Sequence, residues 1–199
     1  MNETAARDRI LASALAEFGT VGFERATVTA IRRRAGVSNG SFFHHFADKE
    51  AVAEALYLDA LAGYHGRVLG AIEAATDAAE GIAALVRTHL AWVQANPELA
   101  RFLFARGTPD WTGPRAETIG RANQAMLTRF SAWAKPHVAA GRLVAWPTPL
   151  IVAQAIGPAQ IVARAWASGT APIGPADAAE PLARAACAAL IPHHKEVER

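Results

Sequence analysis

Apolar positions recur along this chain at helical spacing nearly throughout, and no stretch of any length alternates with the period of two that marks a half-buried strand. Ile10, Leu11, Ala14, Leu15 and Phe18 form the stripe of a first amphipathic helix. Thr27 can cap a second helix through its hydroxyl, and Val28, Ile31 and Ala35 then share one buried face. Gly36 ends that helix, because a residue without Cβ enters the left-handed conformation easily. Ser38 is the N-cap candidate of a third helix about two turns long, whose Phe42 and Phe46, four residues apart, face inward. The opposite face carries Asn39, Ser41, His44 and His45.

Downstream, Asp48 is a good N-cap for a long fourth helix bearing Val52, Leu56, Tyr57, Leu61, Val68, Leu69 and Ile72. Ala74 to Gly81 reads as a small-residue and acidic break, after which Ile82, Leu85, Val86, Leu90 and Val93 restart the period. Pro97 suits the first turn of a further helix, where no backbone donor is needed. Gly107 to Pro114 reads as a loop carrying Trp111, and a helix from about Pro114 to Ala134 is interrupted by Pro136. Trp146, Pro147 and Pro149 mark another connection. A helix over Leu150 to Ser168, a break at Gly169 to Pro175 and an Ala-rich helix over Asp177 to Ile191 complete the pattern, and the ending HHKEVER reads as a solvated tail. The expected fold is all-α: a three-helix helix-turn-helix head over residues 1–48, then a larger helical domain over 49–199.

The run TVTAIRRRAGVSNGSFFHHFADK, from Thr27 to Lys49, puts polar side chains on a slender helix that follows a tight turn, an arrangement suited to the DNA major groove. Here, and through FGTVGFERATV upstream and FADKEAV downstream, the sequence resembles the tetracycline-repressor (TetR) family of bacterial regulators. The resemblance covers roughly the first fifty residues and puts the end of the first helix at Gly19. It implies DNA contacts from Thr27, Ser38, Asn39, Gly40, Ser41, Phe43, His44, His45 and Lys49. Family members usually carry Tyr where this chain has Phe43, and commonly Ala where it has Arg32. Arg32, Arg33 and Arg34 thus make a basic end to the second helix, either replacing a lost phosphate contact, with Arg33 the chosen candidate, or forming a solvated face. Lys49, Thr27 and the arginines would hold phosphates without reading sequence, whereas Asn39, Ser41, His44 and His45 could reach base edges.

Composition narrows the alternatives. A chain of 199 residues that is 52% hydrophobic can bury one good core or two small ones. Its single cysteine, Cys187, cannot form an intrachain disulfide and suits a reducing cytoplasm. The N-terminus mixes acids with bases and has no signal-peptide pattern, and no run is read as membrane-spanning. A net charge of +2 says little, so only the arginine cluster counts toward nucleic acid. No metal or cofactor is expected, and the histidine pairs lack further ligands at coordinating spacing.

His89, Trp92, Phe102, Trp111, Gln124, Phe130 and Trp133 form an aromatic-heavy central set, read either as the pocket of an apolar or aromatic effector or as plain core. The Ala-rich last two helices have an apolar face that a second copy would cover, as the resemblance also implies, giving a homodimer on a palindromic operator. The expected function is a ligand-responsive repressor. The main alternative is an all-helical small-molecule-binding protein or enzyme with the N-terminal helices as scaffold. No Glu-x-x-His pattern, phosphate-binding Gly loop, GxSxG elbow or CxxC pair supports an enzyme. A regulator that has lost DNA binding and acts through protein contacts is a third possibility.

Overall fold

The computed structural model describes residues 3–104 and 111–192, and these form nine helices and no strand. The helices are α1 (Glu3–Val21), α2 (Val28–Ala35), α3 (Asn39–His45), α4 (Lys49–Glu73), α5 (Ala78–Ala95), α6 (Pro97–Phe104), α7 (Gly113–Ala139), α8 (Thr148–Ala167) and α9 (Pro175–Leu190). The all-α expectation holds. The chain divides into two compact units, Met1–Gly63 with Asn96–Ala122, and Tyr64–Ala95 with Asn123–Arg199, so α4 and α7 each contribute to both.

The first unit is built on phenylalanines. Ile10 and Ala14 of α1, Ile31 of α2, Phe42 of α3 and Val52 of α4 are wholly buried. Phe18 packs at 5.3 Å from Phe23 and stacks at 5.8 Å on Phe102 of α6. Burying a side chain the size of Phe42 stabilises the fold by about 2–3 kcal/mol, which fixes α3 with its polar face outward. The first helix outruns its expected end: Gly19 stays helical, and the chain turns instead at Gly22, whose φ is 82° and whose N–H bonds Phe18 O at 3.0 Å. Of the two glycines, Gly22 is the one that needs the conformation which glycine tolerates.

Around the short helices every cap read from the sequence is in place. Thr27 Oγ1 accepts from Ala30 N–H at 3.1 Å, Ser38 Oγ from Ser41 N–H at 3.1 Å, and Asp48 Oδ1 from Ala51 N–H at 2.6 Å. Gly36, at φ 63°, closes α2 by donating to the Arg32 and Arg33 carbonyls. Each cap contributes about 1 kcal/mol, a large share for α2 and α3, which are only eight and seven residues long.

In the second unit α5, α8 and α9 pack on one another. Ala155, Ala159, Ala163 and Ala167 of α8 are buried, as are Ala178, Ala183 and Ala186 of α9. These small side chains suit close helix approach. Arg87 and Glu180 pair across α5 and α9 in a two-pronged bridge, Nη2 to Oε2 at 2.9 Å. Both side chains are about half exposed, so solvent screens the pair and its contribution to stability is small.

Three sequence expectations are corrected in this unit. Helix α5 begins at Ala78, not beyond Gly81, because the acidic break is itself a cap: Asp77 Oδ1 accepts from Glu80 N–H at 2.8 Å, and Glu80 Oε2 reaches back to Thr76 N–H at 2.7 Å. Helix α7 runs through Pro136 to Ala139. The ring removes one backbone donor at a cost of about 3 kcal/mol, and burial of Phe130 and Ala134 on the same helix offsets it. Finally, α8 is 20 residues long with mean hydropathy 1.2, enough by length and composition to cross a bilayer, although a third of that window is buried inside the fold. Its one charged residue is Arg164. Part of the loop expected at Gly107 to Pro114, and the tail over 193–199, lie outside the described residues.

Candidate nucleic-acid interface and effector site

Helix α3 presents a mixed polar and aromatic surface. Asn39, Gly40, Phe43 and His44 are exposed, Ser41 and His45 half-buried, while Phe42 and Phe46 turn into the core. Phe43 is 51% exposed, a high value for a phenylalanine. It packs edge-on against Phe42 at 5.4 Å, and the His44 and His45 rings meet at 5.2 Å. Thr27, Arg33 and Arg34 are exposed and Arg32 is half-buried.

The capping bonds occupy acceptor lone pairs of Thr27 and Ser38, which leaves each hydroxyl hydrogen able to donate to a phosphate. Lys49 is tied down: Nζ donates to Phe23 O at 2.9 Å and Glu24 O at 3.3 Å and sits 4.3 Å above the Phe23 ring. Its charge is thereby fixed beside the turn that leads into α2.

Two positioning arginines escaped sequence reading. Arg9 Nε of α1 donates to Ala35 O at 3.2 Å and so holds the last turn of α2. Arg115, near the start of α7, donates Nε to Glu54 Oε2 at 3.0 Å and Nη2 to Asp48 Oδ1 at 3.3 Å, bracing the residue that caps α4. Nothing local announces such pairs, because their partners lie 26 to 67 positions away.

The seven pocket candidates divide between the two units. Phe102 belongs to the first unit and borders a cavity of about 240 Å³ with Leu15, Phe18, Arg25 and Arg101. Trp111, also of the first unit, packs edge-on against Tyr57 at 5.8 Å. Gln124 is exposed. His89, Trp92, Phe130 and Trp133 lie in the second unit.

There His89 is wholly buried, with Nδ1 2.9 Å from the Tyr64 hydroxyl, and Tyr64 meets Trp92 edge-on at 5.2 Å. Burial lowers His89 to a pKa of about 4 and raises Tyr64, so both are neutral at pH 7. Trp133 packs between Phe130 at 5.4 Å and His137 at 4.8 Å. Sequence reading passed over Tyr64 and His137, and it took Gly81, which lies in the first turn of α5, for the end of a break. No group of three metal-ligating side chains occurs among the described residues.

A family model, "Bacterial regulatory proteins, tetR family", matches residues 10–56, a segment that takes in α2, α3 and the start of α4. The chain is also 33% identical over 132 residues to the HTH-type transcriptional repressor Rv1474c of Mycobacterium tuberculosis, a match covering 63% of this chain and 65% of that protein. Residues 10–56 thus carry the segment that marks the TetR family of regulators. A second relative, the HTH-type transcriptional regulator BetI of Serratia proteamaculans, is 45% identical over 49 residues, 25% of each chain. The matches thus span just under two thirds of the first relative's length and a quarter of the second's. In fold the likeness reaches further. A TetR family transcription regulator from Marinobacter aquaeolei superposes with TM-score 0.78 at 20% identity, covering 96% of this chain and 97% of its own. FadR from Bacillus subtilis, solved in complex with stearoyl-CoA, gives TM-score 0.78 at 15% identity, covering 90% and 96%.

Proposed function

We propose that this protein is a ligand-responsive transcriptional regulator of the cytoplasm, a repressor that binds a palindromic operator as a homodimer and leaves it when a small apolar or aromatic effector binds. The observation that carries this reading is α3 itself: a capped, two-turn helix anchored by buried Phe42, offering Asn39, Ser41, His44 and His45 outward. Residues 1–48 serve as the DNA-binding head and 49–199 as the effector-binding and dimerisation domain. Lys49, Thr27 and Arg33 neutralise or bond phosphates, Ser38, Gly40 and Phe43 lie against the backbone, and the polar side chains of α3 read base edges.

Dimerisation through α8 and α9 is supported by apolar side chains that no described residue covers. Leu150 is 56% and Ile161 72% exposed on α8, and Ile173 lies exposed just before α9. A second copy related by a two-fold axis covers such a patch with itself. It would also set two reading helices about one turn of B-DNA apart, roughly 34 Å, or at a wider spacing. The effector works by binding one spacing of the heads more tightly than the other.

Selection of bound sequences from random duplexes tests the core of this reading. The winning duplex should be palindromic, and its affinity should fall steeply as salt rises. On that duplex Lys49→Ala should weaken binding to all sequences alike, whereas His44→Ala should alter preference at one base pair by roughly 1–3 kcal/mol. Equal enrichment of all duplexes would reject DNA recognition, and identical behaviour of the two variants would reject the division of roles.

A further inference from the structure

One outward side chain of α3 has no hydrogen-bonding chemistry to offer. Phe43 is 51% exposed on a surface otherwise made of Asn39, Ser41, His44 and His45. Its ring stands edge-on to that of the wholly buried Phe42, with centroids 5.4 Å apart and planes at 81°. A phenyl group neither donates nor accepts a hydrogen bond, so it gains from contact only where another apolar group covers it.

Gly40 points the same way. It is exposed, its φ is not positive, and a Cβ there would meet nothing within 4 Å. Neither backbone conformation nor packing within the chain therefore calls for glycine, which in a helix is less stable than alanine. Three positions before Phe43, it leaves bare backbone beside that ring on the outward face of α3. Bare backbone is what close approach by another molecule requires.

The chemistry of that molecule follows once the DNA-binding reading above is taken as given. Base edges in the major groove present hydrogen-bond donors and acceptors, and the apolar exception is the methyl group of thymine. That methyl stands at the outer margin of its base pair, next to the backbone of its own strand. A ring lying against the backbone is therefore placed to cover it.

We infer that Phe43 is a specificity-determining residue that reads thymine: its ring covers the 5-methyl group of one thymine in each half of the operator, and Gly40 lets the duplex come close enough for that contact. The phosphate-bonding side chains hold α3 in register, and Phe43 distinguishes T·A from C·G at this base pair without a hydrogen bond.

The methyl group can be removed from the DNA alone, because uracil pairs with adenine as thymine does. In the duplex won by selection, each thymine is replaced in turn by uracil in both halves, and binding is followed by fluorescence anisotropy. For the wild type, one such replacement should weaken binding roughly fourfold for each half, the equivalent of about 0.8 kcal/mol for one buried methyl, and roughly fifteenfold for the pair. For Phe43→Ala the same replacement should change affinity by less than about twofold, both proteins being compared at lowered salt so that phosphate contacts keep binding in range. Phe43→Tyr keeps the ring and should keep the uracil penalty. Gly40→Ala leaves Phe43 in place, should be at least as stable to heat as the wild type, and should lose most of the penalty. Circular dichroism checks that each variant is folded, and Gly40→Ala carries the test if Phe43→Ala is not. A wild type indifferent to every uracil replacement, an operator without thymine, or a penalty undiminished in the folded variants would overturn the assignment while leaving DNA recognition standing. Equal enrichment of all duplexes in the selection would instead remove the DNA-binding reading on which it rests.

Discussion

His89 should make a distinct contribution to the loss of stability as the pH is lowered. Its ring is wholly buried and accepts or donates one hydrogen bond at 2.9 Å to Tyr64, and burial pulls its pKa from the ordinary 6.5 down to about 4. The folded chain therefore keeps His89 neutral while the unfolded chain takes up a proton first. Stability from this group is fully present above pH 6.5, falls as the pH drops from 6.5 toward 4, and is lost below that. A fall of about 2.5 in pKa, at about 1.4 kcal/mol for each, amounts to about 3 kcal/mol, of which about 2.5 kcal/mol is gone by pH 4.5. That is a large fraction of the roughly 5–15 kcal/mol that holds a typical domain together.

Urea unfolding of the wild type and of His89→Leu at pH 7.5 and 4.5 isolates the effect, because the carboxylates that also titrate are common to both proteins. At pH 7.5 the variant should be less stable by about 1–3 kcal/mol, since the buried Tyr64–His89 hydrogen bond is lost. At pH 4.5 that gap should have shrunk by about 2.5 kcal/mol, leaving the two proteins close or reversed in order. A gap that stays constant between the two pH values would refute the reasoning, and would mean that the folded protein admits a proton at His89 without penalty.

The other predictions are structural. Gly81→Ala puts a methyl 2.2 Å from the Trp133 ring, so it should destabilise the protein by about 1–3 kcal/mol in thermal or urea unfolding, although alanine is the better helix former. Unchanged or raised stability would mean that Trp133 has room to move. Ser38→Ala removes the acceptor for Ser41 N–H and should cost about 1 kcal/mol, seen as faster hydrogen exchange in α3 and weaker operator binding. Ile161→Arg places a charge on a side chain that is 72% exposed in the single chain. It should convert dimer to monomer in light scattering while leaving the helical signal unchanged, and a persisting dimer would move the interface elsewhere.

Most of what the sequence made legible was local. Thr27, Gly36, Ser38 and Asp48 announced the ends of α2, α3 and α4, because a cap bonds a backbone group two or three residues away and its chemistry is fixed by residue type. Misreadings came where a distant partner overrides a local preference. Pro136 argues for a break, yet burial of Phe130 and Ala134 carries α7 past it. Gly19 resembles a terminator, yet of the two glycines it is Gly22, three residues on, that has a positive φ.

The effector set shows the limit most plainly. Residue type alone gathered seven aromatic or polar residues over one stretch, and the fold assigns Phe102 and Trp111 to one unit and Trp92, Phe130 and Trp133 to the other. What joins α5 to α7 is instead a juxtaposition across 52 positions: a glycine in one helix whose missing Cβ makes space for a tryptophan in another. Neither residue is unusual in its own window. The information lies in their pairing, which exists only after packing has brought the two helices together, and for that reason substitutions at Gly81 and Trp133 should be strongly non-additive in any stability cycle.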